Sequence, residues 1–221
     1  MSLYLTIQYA AMALAFLIAI IGHEIMHGLV AKHYGDLTAT NYGRLSINPL
    51  KHIDPFGSVI FPIVLYLGQK FMGIENPIIF GWARPVPVNI LGIVSNGGYL
   101  AAVNVSIAGI VYNIFMAFIG AALLKFVGLS SGYIALFVYT FLMYLIVVNV
   151  VLAVFNALPI PPLDGANVVK YLSLQFKLFP VVKFYNKIER YGLAILMVFM
   201  FTPLSQYIFI PAQKIIYWLV H

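Results

Sequence analysis

Residues 3–31 read LYLTIQYAAMALAFLIAIIGHEIMHGLVA, and this stretch decides what kind of molecule the chain makes. From Leu3 to Gly22 it holds no charged residue. A bilayer core about 30 Å thick is crossed by a helix of roughly 20 apolar residues, so the run is long enough to span. It is not a secretory leader: no Lys or Arg precedes Lys32, so the positive n-region is missing. The apolar run also passes without a break into His23, Glu24 and His27. The reading is a retained membrane helix with a polar cluster at its end. Ionisable groups in lipid cost at least about 2.5–3.5 kcal/mol each on insertion scales and are functional by default. Three of them together call for a compensating ion.

The rest of the chain supports lipid as solvent. Hydrophobic residues make up 63% of the 221 residues and charged residues 8%. A soluble domain carries about 25% charged residues, so this chain cannot cover a water-facing surface of its size. The net charge of +6 is no nucleic-acid signature, because the Lys and Arg residues sit in connecting segments, where positive charge sets membrane orientation. The stretch with Lys170, Lys177, Lys183, Lys187 and Arg190 reads as a cytoplasmic loop. There is no cysteine, which excludes disulfides and thiolate ligands. Further apolar runs fall at 56–72, 98–127, 131–158 and 192–219. Pro203 and Pro211 interrupt the last. Residues 35–55 and 76–97 read as extended strand or loop, rich in Pro, Gly and short alternating pieces. Such backbone lies at the membrane surface or lines a cavity. The expectation is one α-helical polytopic membrane domain over 1–221, with four to six helices or half-helices and short membrane-associated β or extended segments.

His23-Glu24-Ile25-Met26-His27 is the H-E-x-x-H pattern. On a helix, positions i and i+4 share a face, so both imidazoles can reach one ion, with Glu24 placed to take a proton from an attacking water. Zinc suits two nitrogens, one carboxylate and an open position. The chain has six acidic residues. Glu24 is the base, and Asp36, Asp54, Glu75 and Glu189 lie in polar or loop contexts. Asp164 alone follows a strong apolar span, in NALPIPPLDG (residues 156–165). Its prolines stop a regular helix and Gly165 permits a tight turn. A solvated Asp at a Pro-rich helix end is the alternative.

Those two stretches resemble the site-2 proteases, intramembrane zinc metalloproteases with H-E-x-x-H on one membrane helix and N-x-x-P-x-P-x-L-D-G on a later one. Every fixed position matches, and the likeness is to compact prokaryotic members without PDZ or CBS domains. The resemblance implies His23, His27 and Asp164 as ligands of one Zn2+ per chain, with Glu24 as general base. It implies cleavage of peptide bonds within or near the transmembrane helices of other proteins, at a prokaryotic cell membrane. The family motif A-G-P-x-x-N reads Ala108-Gly109-Ile110-Val111-Tyr112-Asn113 here, so the asparagine matches and the proline does not.

Asn113 and Asn156 are uncharged polar groups in apolar spans. Each is a candidate oxyanion or substrate contact, with helix–helix hydrogen bonding as the competing role. An extended peptide could bind a strand edge in residues 43–48 or 84–89. A membrane metal transporter or sensor with the same ligands is the rival function, and a catalytically silent scaffold is a second. Residues 56–72 either cross or re-enter. Re-entry is preferred, because it lets the two ligand helices run parallel.

Overall fold

The computed structural model describes residues 3–73, 81–127, 132–201 and 204–221. Among them every regular element is helical. Three helices are long and apolar enough to cross a membrane: α1 (Leu3–His33), α4 (Ile90–Leu124) and α5 (Tyr133–Asn156). The chain is therefore an α-helical membrane protein. Between α1 and α4 lie α2 (Thr38–Asn41), a 3₁₀ turn (Pro49–Lys51), a π-helical turn (Pro55–Ile60) and α3 (Phe61–Phe71). After α5 come α6 (Asp164–Gln175), α7 (Phe179–Ile188), α8 (Gly192–Phe201) and α9 (Leu204–Val220).

Helices α1 and α4 pack through stripes of mostly small residues spaced four apart. In α1, Ala11, Ala15 and Ala19 are fully buried, His23 continues the stripe, and Ala31 closes it. In α4 the matching stripe is Ala101, Val105, Gly109, Asn113, Ala117 and Ala121. Without a hydrophobic force between helices in lipid, association rests on close packing, which small residues allow. The stripes meet head to tail. Asn113 donates to the Ala19 carbonyl, His27 meets the Val105 carbonyl, and Ala31 packs with Ala101. Helix α5 is antiparallel to α4 in turn: Asn113 bonds Asn149, while Ala117 and Ala121 pack with Ile146 and Val150. So α1 and α5 run parallel, and the chain leaves α1 and enters α4 at the same end of the bundle. Gly98 (φ +70°) breaks α4 near its start, a conformation that glycine adopts without steric penalty.

Residues 43–48, expected as extended strand or loop, form no strand: they lie between α2 and the 3₁₀ turn and carry no regular structure. Side chains explain the difference. Asn48 accepts from the Leu50 N–H and Asp36 accepts from the Thr38 N–H, local bonds that compete with strand pairing. Residues 81–89 carry no regular structure, and residues 76–80 of the second extended stretch lie outside the described residues. The 56–72 run becomes the π-helical turn plus the 11-residue α3, shorter than the other spans. Pro211 lies inside α9 without ending it.

Candidate metal centre

The alanine stripe of α1 explains how two histidines reach one point. The face that lets α4 approach closely is the face that carries His23 and His27. Gly109 completes the fit: a Cβ there would stand 2.4–2.6 Å from three atoms of the His23 ring. Asp164 arrives from the opposite direction, as the first residue of α6. A helix N-terminus favours negative charge, and the parallel run of α1 and α5 brings this point back to the histidines. Gly165 is helical rather than a turn residue. A Cβ on it would meet the Ala157 carbonyl oxygen at 2.3 Å, so its bare backbone lets α6 begin against the end of α5.

Three atoms then converge. His23 Nε2 lies 3.1 Å and His27 Nε2 3.4 Å from Asp164 Oδ2, and the two Nε2 atoms are 3.1 Å apart. One ligand atom from each residue falls within 4.8 Å of the others. Among the described residues this is the group of His, Asp and Glu that can hold a metal ion. Asp164 Oδ2 is buried and has no hydrogen-bond partner of good geometry, although both nitrogens are near. A buried carboxylate oxygen without a donor is costly. Two imidazole nitrogens and a carboxylate oxygen gathered this closely are what ligands around one ion present. The donor set, two imidazoles and a carboxylate, suits zinc with a position left open.

The other ring nitrogens are engaged. His27 Nδ1 lies 2.7 Å from the Val105 carbonyl. A carbonyl can only accept, so Nδ1 carries the proton and Nε2 presents a lone pair to the centre. His23 Nδ1 lies 2.6 Å from Asn113 Oδ1. The amide of Asn113 donates to Asn149 Oδ1 at 2.8 Å and to the Ala19 carbonyl at 3.2 Å. Asn149 donates to the Leu145 carbonyl at 2.7 Å. Both asparagines are fully buried.

A cavity of about 490 Å³ opens beside the centre. Glu24, Asn156, Asn167 and Tyr171 line it, together with Leu193 and Leu196 of α8 and with Trp82, Ala83, Pro85, Val86 and Val88. Glu24 Oε2 accepts from the Val86 N–H at 2.9 Å. Residues 81–89 form a strap held by side chains and by main-chain bonds, the Trp82 N–H donating to the Gly57 carbonyl. The Trp82 indole donates to Asp54, the Ser58 hydroxyl donates to the Trp82 carbonyl, and the Arg84 N–H donates to the His52 carbonyl. The buried Arg44 guanidinium donates to the carbonyls of Arg84 (2.6 Å) and Pro85 (3.3 Å). Asn89 N–H donates to Asp36 Oδ2 at 2.6 Å. Burial pushes the Asp36 carboxyl up, but bonds from the Thr38 hydroxyl and from the Asn89 and Thr38 N–H groups outweigh it. They hold the group below the usual carboxylate range.

The structure thus brings His23, His27 and Asp164 together and places Glu24 beside them. Asn156 lines the cavity, with its amide donating to the Leu152 carbonyl of its own helix. Asn113 stands behind His23, away from the cavity wall. The remaining acids fall as expected: Asp36 and Asp54 bind backbone and Trp82, Glu189 pairs with Lys170 at 2.7 Å, and Glu75 lies outside the described residues. Sequence reasoning missed Asn149, although the rule that singled out Asn113, a polar amide within an apolar span, applies to it equally.

Comparison with known proteins adds one relative. The chain is 38% identical over 197 residues to "Putative zinc metalloprotease YwhC" of Bacillus subtilis (strain 168), an alignment covering 86% of this chain and 79% of that protein. No family model matches the sequence. No solved structure matches it either.

Proposed function

This chain belongs to the zinc metalloprotease family of its Bacillus relative, and from that premise we propose that it is an intramembrane endopeptidase of the site-2 type, cutting peptide bonds within or near the transmembrane helices of other membrane proteins. The observation that carries this reading is the convergence of His23, His27 and Asp164 on one point inside a bundle of apolar, membrane-length helices. A single zinc ion held by these three residues would supply Lewis-acid polarisation of a carbonyl and a lowered water pKa. Glu24 takes the proton of the attacking water and returns it to the leaving nitrogen, as a general base and then acid. Its bond to the Val86 N–H keeps the carboxylate turned into the cavity.

The topology supports the same reading. Because α1 and α4 join at one end of the bundle, residues 55–71 make no net crossing, which fits a re-entrant segment in a multi-pass protein of a prokaryotic membrane. A substrate must present an extended backbone. In the strap, the N–H groups of Trp82, Arg84 and Val86 already donate, and Pro85 and Pro87 have none. Ala83 and Val88 keep free N–H groups for a peptide laid along residues 82–88. Asn156 faces the same space and is the nearer of the two proposed asparagines for a carbonyl contact.

Glu24→Gln tests the reading. The variant should keep its zinc and lose about 10²–10⁴-fold in cleavage of a membrane-anchored substrate. Near-normal cleavage would remove Glu24 as the base. A wild-type protein that holds zinc and cuts nothing would favour the transporter or sensor reading, against which stands the lack of a second ligand group among the described residues.

A further inference from the structure

We propose that Asn149, which does not line the cavity and hydrogen-bonds none of the candidate ligands, is a positioning residue that sets the tautomer of His23 through Asn113. The inference rests on the zinc reading of the site. Each imidazole can give the ion a lone pair from Nε2 only if its proton sits on Nδ1. For His27 a backbone carbonyl enforces this, since a carbonyl never donates. The group facing His23 Nδ1 is a side-chain amide, which has a donor end and an acceptor end. Turned one way, Asn113 offers its oxygen, and His23 carries the proton on Nδ1. Turned the other way, it offers its NH₂, and the proton moves to Nε2, where it would block the metal.

What decides the orientation of Asn113 is its other end. That end meets two acceptors, Asn149 Oδ1 at 2.8 Å and the Ala19 carbonyl at 3.2 Å. Asn149 shows its oxygen because its own NH₂ is committed to the Leu145 carbonyl at 2.7 Å. The chain therefore begins at a backbone carbonyl of α5, passes through two fully buried amides, and ends at the proton of a ligand in α1. Each step has one donor and one acceptor, and reversing any one leaves two like groups face to face. Outer partners that fix ligand tautomers typically change metal affinity 10–100-fold when removed.

The experiment measures zinc release from purified full-length protein to a chelator. Asn149→Leu keeps the volume and removes the acceptor. Release should quicken about 10-fold or more, with zinc still bound at one per chain in excess metal. The control is Asn113→Asp, whose two ends are both oxygens, so that an acceptor faces His23 whichever way it turns. In that background Asn149→Leu should lose its effect on release. A purely structural Asn149 would give the same acceleration in both backgrounds, and that result would overturn the proposal, as would unchanged release in Asn149→Leu alone. Asn149→Asp, whose protonated carboxyl can donate to the Leu145 carbonyl and keep an acceptor toward Asn113, serves if the Leu variant does not fold, and should release zinc at close to the wild-type rate; rapid release would count against the relay. If the wild-type protein takes up no zinc, the zinc reading is what fails. The His23 tautomer, read from imidazole ¹⁵N shifts in the metal-free chain, then still decides the relay: Nδ1–H in wild type and a shift toward Nε2–H in Asn149→Leu support it, and no difference between them overturns it.

Discussion

His23 and His27 owe their places to four-residue spacing on one continuous helix, whereas residues 81–89, the wall facing them, owe theirs to side chains reaching in from elsewhere. In the first region backbone holds side chains. In the second, Asp36, Ser58, Glu24 and Arg44 hold backbone, and Asp54 holds the Trp82 indole. The difference follows from what each must do. A ligand set needs atoms fixed to a fraction of an ångström, which a packed helix supplies. On the proposed reading the wall binds a peptide, and it then needs main-chain groups free of a regular ladder, so that some remain for a substrate. The cost is that every turn of such a wall needs its own fastening.

If the two regions are built separately, they should fail separately. The largest effect is expected from Asp164→Ala. It removes the carboxylate from the centre, so zinc should be lost on dialysis and cleavage should fall to background, while hydrogen exchange in the strap stays unchanged. Full occupancy by metal analysis would take Asp164 out of the site. Gly109→Ala comes next. A methyl group 2.4 Å from the His23 ring must displace it, and overpacking of this kind costs about 1–3 kcal/mol. A lower melting temperature should accompany weaker zinc retention. Wild-type values for both would mean that the helices part without moving the ring.

Arg44→Met attacks the other region. It leaves two strap carbonyls without their buried donor, a loss of about 1–3 kcal/mol. Zinc content should hold, while amide exchange at Val86 and Arg84 quickens and cleavage slows. Zinc loss in this variant would show that strap and metal centre are one unit after all. The smallest effect concerns Asp36. Its carboxyl is held below the ordinary value of 3.8, so its contribution is fully present above that value and fades as pH falls through the lower folded pKa. Exchange at the Asn89 amide should rise in that acid window, and Asp36→Asn should flatten the rise. An equal rise in both would assign the acid sensitivity to another group.

How much of this was legible in the sequence divides along the same line. Helices α1, α4 and α5 could be read from length and hydropathy, because lipid allows few alternatives to a helix. The three candidate ligands could be read from i, i+4 spacing, the scarcity of acids and the match to a known pair of motifs. The 35–55 stretch was legible only as strand or loop: its alternation allowed a strand, while its Asx and serine side chains favoured turns through bonds that pattern reading does not weigh. The place of Asn113 behind His23 was equally hidden, since spacing reports which face of a helix a residue occupies and not which neighbour meets it. Asn149 was within reach of the same argument as Asn113. What linked the two was the antiparallel register of α4 and α5, a tertiary fact.

The parallel run of α1 and α5 also has a meaning in time. A ribosome adds about 5–20 residues per second, so the two histidines enter the membrane roughly ten seconds before Asp164 is made. During that interval α1 carries two imidazoles and a glutamate with no third ligand, and α4 and α5 have yet to enclose them. On the proposed reading, the hydrolytic machinery is therefore unarmed while its own chain is still being inserted. It is completed only when the last ligand arrives on a helix that must first have packed correctly. The order of the motifs along the chain acts as a delay, and the assembled bundle is what ends it.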